Sequence, residues 1–424
     1  MKKLLTLFSM VTVLAFLTVT ALAASQESYD SVVVGKSDLA YDVKAVQEAV
    51  DKGGTVLLKG TFNFGQKGQV NIKNDVEIMG EIHSQNKPVT KIEGGFWTFH
   101  SPLPSKESPP EAPGPKIVIH GIHFDGALYT PLYFAYTSGA EISGNKITNV
   151  IPYEIKFKWK GGDSFWWQAG AVLGTQFIAG RKVTLPGAVT GKLTFQKNSV
   201  DMQNDKPNIT LGQGVYYQLT WGATIEISEN VFTNVSRNSI ECLDNYLDKE
   251  GRGRVTITDN KIITPTEGCP FPGPTGYPNG IVVGWFHDMS GGTDPNRNSK
   301  IVIMDNYIES SGELARAIVS IGDGTVILGN RILIKGGSKS KGIIQLGSNG
   351  FVARNKIEGS GACAMQVIPV KVLKGSGNTF AWNDVKEFKA SSMDFLCVGN
   401  NNTLVGTSCK VVDKGKGNIM LTKN

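Results

Sequence analysis

The chain has 424 residues, of which 40% are hydrophobic, 19% are charged and 50 are glycine. That mix affords a large core, argues against a helical protein and favours many short strands joined by turns. The formal net charge of +6 permits an acidic partner without demanding one, and it is far from the balance of a nucleic-acid-binding protein.

Residues 1–23 read as a secretory signal peptide. Lys2 and Lys3 supply the positive start, an apolar stretch runs from Leu4 to about Ala21, and Ala21-Leu22-Ala23 is an A-x-A cleavage site. The rival reading is an uncleaved anchor, since the stretch is nearly long enough to span a bilayer. No later segment approaches about 18 apolar residues, so the mature chain is expected outside the membrane, secreted or periplasmic, and as a monomer.

Next, residues 38–53 read as a short amphipathic helix. Asp38 caps it, Val43, Val46 and Val50 share a face, and Gly53-Gly54 ends it. Residues 54–60 then read as the first strand, and the Pro-rich run 101–116 as an exposed extended loop.

From Ile142 one pattern recurs. Ile142-Ser-Gly-Asn145-Lys-Ile147 is followed by copies centred on Asn198, Asn230, Asn260, Asn306, Asn330 and Asn355, with weaker copies at Asn378 and Asn401. The spacings from Asn306 onward are 24, 25, 23 and 23, and the earlier ones of 53, 32, 30 and 46 fit a coil of roughly 23 residues plus insertions. Apolar residues flanking the corner point inward from short strands. Asn tolerates the left-handed backbone that a sharp corner needs, and stacked Asn amides can hydrogen-bond along the stack.

Period and corner asparagine together resemble the pectin-lyase-like superfamily of right-handed parallel β-helices, over about residue 31 to the C-terminus. The resemblance implies an all-β, single-stranded right-handed parallel β-helix, a solenoid over 31–424. It also implies that the helix at about 38–52 plugs the open end of the core. The resemblance does not reach an activity. The pectate-lyase-type Asp-His and Arg-x-Pro-x-x-Arg signatures are missing, as is the polygalacturonase set of Asn-Thr-Asp, Gly-His-Gly and Arg-Ile-Lys. No catalytic residue is therefore carried over from a specific family.

A further strand follows each corner, as in Gly214-Val-Tyr-Tyr-Gln-Leu219 and Ser239-Ile-Glu-Cys-Leu-Asp244. With Val215, Ile240, Ile281, Ile318 and Ile343 inward, alternation puts Tyr216, Gln218 and Glu241 on one exposed sheet face. Long insertions lie between about 150 and 300 and flank this strand, so they are expected to wall a groove suited to an extended polymer. The regular coils after Asn306 read as scaffold.

The insertions supply candidate chemistry. Trp166, Trp167 and Trp285 could stack on sugar rings, although such aromatics more often anchor loops. Arg252 could hold a carboxylate or sulfate, with Tyr216 and Gln218 as further binding residues. The catalytic candidates are Glu241, Asp244, His287 and Asp288. Glycoside hydrolysis needs two carboxyl groups flanking the bond, whereas a lyase needs a base such as His287 beside a neutralised uronate, often with Ca²⁺ held by carboxylates. The expected function is an exported protein that binds a polysaccharide, acidic in one reading, and cleaves it as a lyase or glycoside hydrolase. The rival is a non-catalytic surface or matrix protein that binds a glycan or protein.

The five cysteines, Cys242, Cys269, Cys363, Cys397 and Cys409, cannot all pair internally. Cys242 and Cys363 lie in apolar strand runs and are expected buried and free.

Overall fold

Three short runs of alternating apolar and polar residues make each coil. In one coil these are Thr224–Ser228, Val231–Thr233 and Asn238–Tyr246, and the first two bury every second side chain. The computed structural model describes residues 28–423, apart from 84–86, 106–107, 160–161, 176–184, 208, 269–277, 286–296, 298–299, 371, 387 and 389–393, and gives only the chain course of 157–159 and 162–166. Among the described residues the strands stack into three parallel sheets of 14, 11 and 13 strands, each strand pairing with its counterparts in neighbouring coils, except that Tyr153–Trp159 lies off the third stack and pairs antiparallel with Gly162–Gly174. The fold is a right-handed parallel β-helix.

Each sheet contributes an inward row. The first sheet stacks Ile119, Ile142, Phe195, Ile227, Ile257 and Ile303 in register. The third stacks Leu132, Val172, Val215, Ile240, Ile281, Ile318 and Ile343, the inward positions that alternation predicts. All are fully buried, and each such side chain contributes roughly 1.5–3 kcal/mol by leaving water. A short second strand, such as Lys146–Thr148, stands between the corner and the strand that the sequence places next after it. The coil thus has three sides.

The corner asparagines form a continuous buried ladder from Asn145 through Asn198, Asn230, Asn260, Asn306, Asn330 and Asn355 to Asn383. Each backbone N–H and each Nδ2 donates to the next residue's Oδ1, and Nδ2 also reaches a carbonyl of the preceding coil.

Two expectations about the corner are corrected. The left-handed residue is the one before the ladder asparagine: Lys197, Glu229, Asp259, Asp305 and Arg354 have φ between 53° and 57°. The asparagine is needed for its inward amide, while the strained position faces solvent and accepts many side chains. The copies at Asn378 and Asn401 are also not rungs of this ladder. It runs from Asn355 to Asn383 and ends on Thr407. Asn378 begins a second ladder, at another corner, through Asn402 to Asn418, and Asn401 is that ladder's left-handed residue, with φ 55°.

At the N-terminal end the helix Leu39–Asp51 forms as expected, with the Asp38 carboxylate accepting from the Tyr41 N–H at 2.8 Å. Val46, Ala49 and Val50 join the core, so the helix covers the first coil's apolar end. Asp42 is buried beside them and accepts backbone N–H groups of Lys36, Asp38 and Asn63. The strand at Gly54–Lys59 is not the first: Ser31–Val34 pairs on its outer edge. At the other end, Ile419–Leu421 pairs with Thr403–Val405. Cys242, Cys363 and Cys397 are buried and free, Cys409 is half-buried and free, and Cys269 lies outside the described residues. The proposed signal peptide, residues 1–23, also lies outside them. No helix among the described residues is long and apolar enough to cross a membrane.

Candidate functional site

The outward positions of the third sheet change chemical character from coil to coil. Tyr216, Glu241, Val282, Val319, Ile344 and Gln366 stack in register along one outward row. Beside them, at the start of the same strands, Gln213, Asn238, Asn279, Arg316 and Lys341 form a second row.

The N-terminal stretch of this face is aromatic. Trp97 packs on Phe96, His100 and Tyr133, and Tyr129 stacks on Tyr153 with centroids 5.9 Å apart. Tyr153 is 40% exposed, and Phe96, Trp97 and Tyr129 are partly exposed. His100 stacks on Tyr133, and burial pushes its pKa down to about 4.

A hydrogen-bonded chain then crosses five coils. Tyr129 donates its hydroxyl proton to Gln168 at 3.0 Å, and Gln168 donates to Gln213 at 2.9 Å. Gln213 and Asn238 both donate to Oε2 of Glu241, at 3.1 and 2.6 Å, and Asn279 donates to Asn238 at 2.7 Å. Beside it, Tyr216 donates to Gln218, which donates to the Asp244 carboxylate at 2.8 Å. Burial raises the Tyr216 pKa well above its usual value, with Glu241 and Asp244 adding to the rise and Arg237 opposing it. Those four side chains therefore share one field.

Beyond this network lies a cavity of about 340 Å³. Its floor is aliphatic, with Val282, Val319, Ile321 and Ile344 among the lining residues, and Arg237, Arg316, Lys341, Glu241 and Gln366 supply its polar atoms. Most of this floor belongs to the short-looped coils after Asn306, which the sequence alone marks as scaffold.

The structure brings Tyr216, Gln218, Glu241 and Asp244 together, and alternation places Tyr216, Gln218 and Glu241 on the outward side as expected. They are not exposed, however: their fractional exposures are 7%, 3%, 3% and 1%. Tyr216 is covered by Tyr133, Leu173, Trp97 and Tyr129, contacts across coils that a local pattern cannot reveal. The other candidates stand apart. Trp167 carries the Lys206 ammonium 3.8 Å over its ring. Trp285 is buried against Tyr246 and below Arg297, at the far ends of the strands. Arg252 is exposed and already paired with Asp248 at 2.6 Å and Glu250 at 3.1 Å. His287 and Asp288 lie outside the described residues, as does the side chain of Trp166. Among the described residues no group of three or more His, Cys, Asp or Glu comes together to hold a metal ion.

Sequence reasoning misses Trp97, Tyr129, Gln168, Gln213, Arg237, Arg316 and Lys341. The registers place Gln213, Arg316 and Lys341 in the outward row with Asn238 and Asn279. Counted by alternation from the inward Val215, Ile240, Ile281, Ile318 and Ile343, that row falls on the inward side, so the period-two pattern hides it.

No protein-family model matches the sequence, and no curated protein matches it. Among solved structures, the chain is similar to the A-module of the mannuronan C-5 epimerase AlgE6 of Azotobacter vinelandii. Identity is 13% and the TM-score 0.45, over 87% of this chain and 95% of that one. A mannuronic acid specific polysaccharide family 6 lyase from human gut microbiota matches at 13% identity and a TM-score of 0.43, over 90% and 82% of the two chains. The Streptococcus pneumoniae surface protein and adhesin PfbA matches at 11% identity and a TM-score of 0.44, over 93% and 99%. These are likenesses of chain course, and the fold itself stands on the registers of the three sheets.

Proposed function

We propose that this protein is an exported β-helix that binds an acidic polysaccharide along the outer face of its third sheet. The observation that carries this reading is a juxtaposition. Partly exposed aromatic rings, a row of amides and carboxylates, and Arg237 follow one another on a single face, in successive coils. Coils spaced about 4.8 Å apart make such a face an extended surface. Aromatic faces suit the apolar faces of sugar rings and a guanidinium suits a carboxylate or sulfate, while the buried amides hold the carboxylates in place between them. The face is continuous across five coils, which suits a polymer better than a single sugar.

Cleavage is a second reading, favoured by the position of Glu241 on the cavity wall near Arg237 and Tyr216. Two amide donors on its Oε2 fix the orientation of the Glu241 carboxyl group. Lyase and hydrolase chemistry would then share this residue, with Asp244 or Tyr216 as the second group. The test is a glycan array combined with product mass spectrometry on the purified full chain. Binding of an acidic polysaccharide without products supports a non-catalytic protein. A product with an unsaturated sugar indicates elimination, and a saturated one indicates hydrolysis. In either case Glu241→Gln should abolish turnover with the fold intact. Failure to bind any acidic polysaccharide overturns the proposal.

A further inference from the structure

We propose that the aliphatic cavity at the C-terminal end of this face is a binding site for a small amphiphilic anion, an aliphatic carboxylate, and that it shares Arg237 and Glu241 with the end of the glycan face. Its volume of about 340 Å³ falls at the lower end of small-molecule sites, which run from roughly 300 to 1,000 Å³. The floor is made of side chains that point away from the core. Val282, Val319, Ile321 and Ile344 lie outward yet are 3–7% exposed, because they pack on one another and beneath Leu373 as an apolar cluster separate from the main core. Among the described residues the cavity lining carries aliphatic side chains and no aromatic ring. A hydrocarbon body fits such a floor.

The polar rim selects an anion. Among the described residues, Arg237, Arg316 and Lys341 line the cavity together with one carboxylate, Glu241, whose Oε2 already accepts from two amides. The Lys341 ammonium has neither an ion pair nor a hydrogen bond among the described residues. Burial lowers its pKa, with Cys363 opposing the shift and Arg316 adding to it. A carboxylate between Arg316 and Lys341 would relieve both the burial and the mutual repulsion. Nε of Arg237 and Oε1 of Gln366 are buried without a hydrogen-bond partner among the described residues, and Gln366 is 4% exposed. Buried polar atoms are rarely left unpaired, so both call for atoms of an occupant or its bound water.

This site does not rest on the glycan reading, and calorimetry on the full chain separates the two. Butanoate, hexanoate and octanoate are titrated, with acetate and octan-1-ol as controls and an acidic polysaccharide in parallel. Affinity should rise about fourfold for each added methylene until the cavity is full, which is about 0.8 kcal/mol per group converted to a binding ratio. Octan-1-ol should bind about tenfold more weakly than octanoate. Lys341→Met should weaken octanoate about tenfold while leaving octan-1-ol unchanged, and Ile344→Asn should weaken both. Equal binding of acetate and octanoate overturns the proposal, as does a folded Lys341→Met that holds octanoate like the parent. If Lys341→Met does not fold, the chain-length series and the alcohol control still decide. Loss of polysaccharide binding alone would count against the glycan reading and not against this one.

Discussion

The asparagine ladder and the outer face of the third sheet run the same length of the same solenoid under opposite rules. On the ladder every coil supplies the same side chain, so each amide meets an identical neighbour and all bonds close within the protein. On the outer face the in-register residues are Tyr216, Glu241, Val282, Val319, Ile344 and Gln366, and the chemistry changes from ring to carboxylate to hydrocarbon. Repetition at one position satisfies the fold. Variation at an equally stacked position leaves atoms unsatisfied, as at Arg237 and Gln366, and so points to something outside the chain.

The largest effect that separates the two is expected at Asn260→Leu. It removes the acceptor of the Asn230 N–H and Nδ2, leaving the N–H unpaired and Nδ2 with only its bond to the Phe195 carbonyl, and it also removes the Asn260 side-chain donor to Asn306 and to the Ile227 carbonyl. At roughly 1–3 kcal/mol for each orphaned group, a loss of about 3–5 kcal/mol is expected in denaturant unfolding. A loss no greater than that of a surface substitution would erase the distinction drawn here.

On the outer face, His100 should impose a pH dependence. Burial holds its pKa at about 4 against 6.5 unfolded, so the unfolded chain binds more protons between those values. The contribution is complete above pH 6.5 and is lost as pH falls towards 4, by about 3 kcal/mol in all. His100→Phe should flatten that part of the stability curve measured by guanidinium titration at stepped pH.

Glu241→Gln sets an amide against the donors of Gln213 and Asn238. A stability loss of about 1–2 kcal/mol is expected, together with weakened polysaccharide binding, while the ladder stays intact. If binding is unchanged, Glu241 belongs with the ladder as a structural residue.

The smallest effect has the opposite sign. Lys197 sits at the left-handed corner position with φ 55°, where glycine is unstrained. Lys197→Gly should raise stability by about 0.5–1 kcal/mol, net of glycine's greater flexibility, and leave binding untouched. A thermal melt and one calorimetric titration check both halves.

The fold was legible because its determinants are local and repeated. Ile227, Asn230 and Phe232 lie within six residues, and so do their counterparts in every regular coil. Even the missed rung had a signal: Phe380-Ala-Trp-Asn383-Asp-Val385 carries the full pattern, but its spacing of 28 from Asn355 hides it behind Asn378. The left-handed residue was misassigned because the amide and the strain are adjacent, and Asn suits both roles. The site was legible only in direction. Alternation turns Glu241 and Tyr216 outward, but Tyr216 is buried by residues such as Tyr133 and Trp97, over eighty positions away. The cavity floor escaped because Val319 and Ile344 look like ordinary strand residues until the coils are stacked.

The ladder also governs how the molecule comes apart. The side chain of each asparagine bonds within its own coil and to the coils on either side, so order passes along the ladder as along a one-dimensional chain with nearest-neighbour coupling. A broken rung near an end merely shortens the cooperative unit by frayed coils. A broken rung at Asn260 splits it into two blocks that melt at their own temperatures, with the carboxylate network on one side of the break and most of the aliphatic cavity on the other.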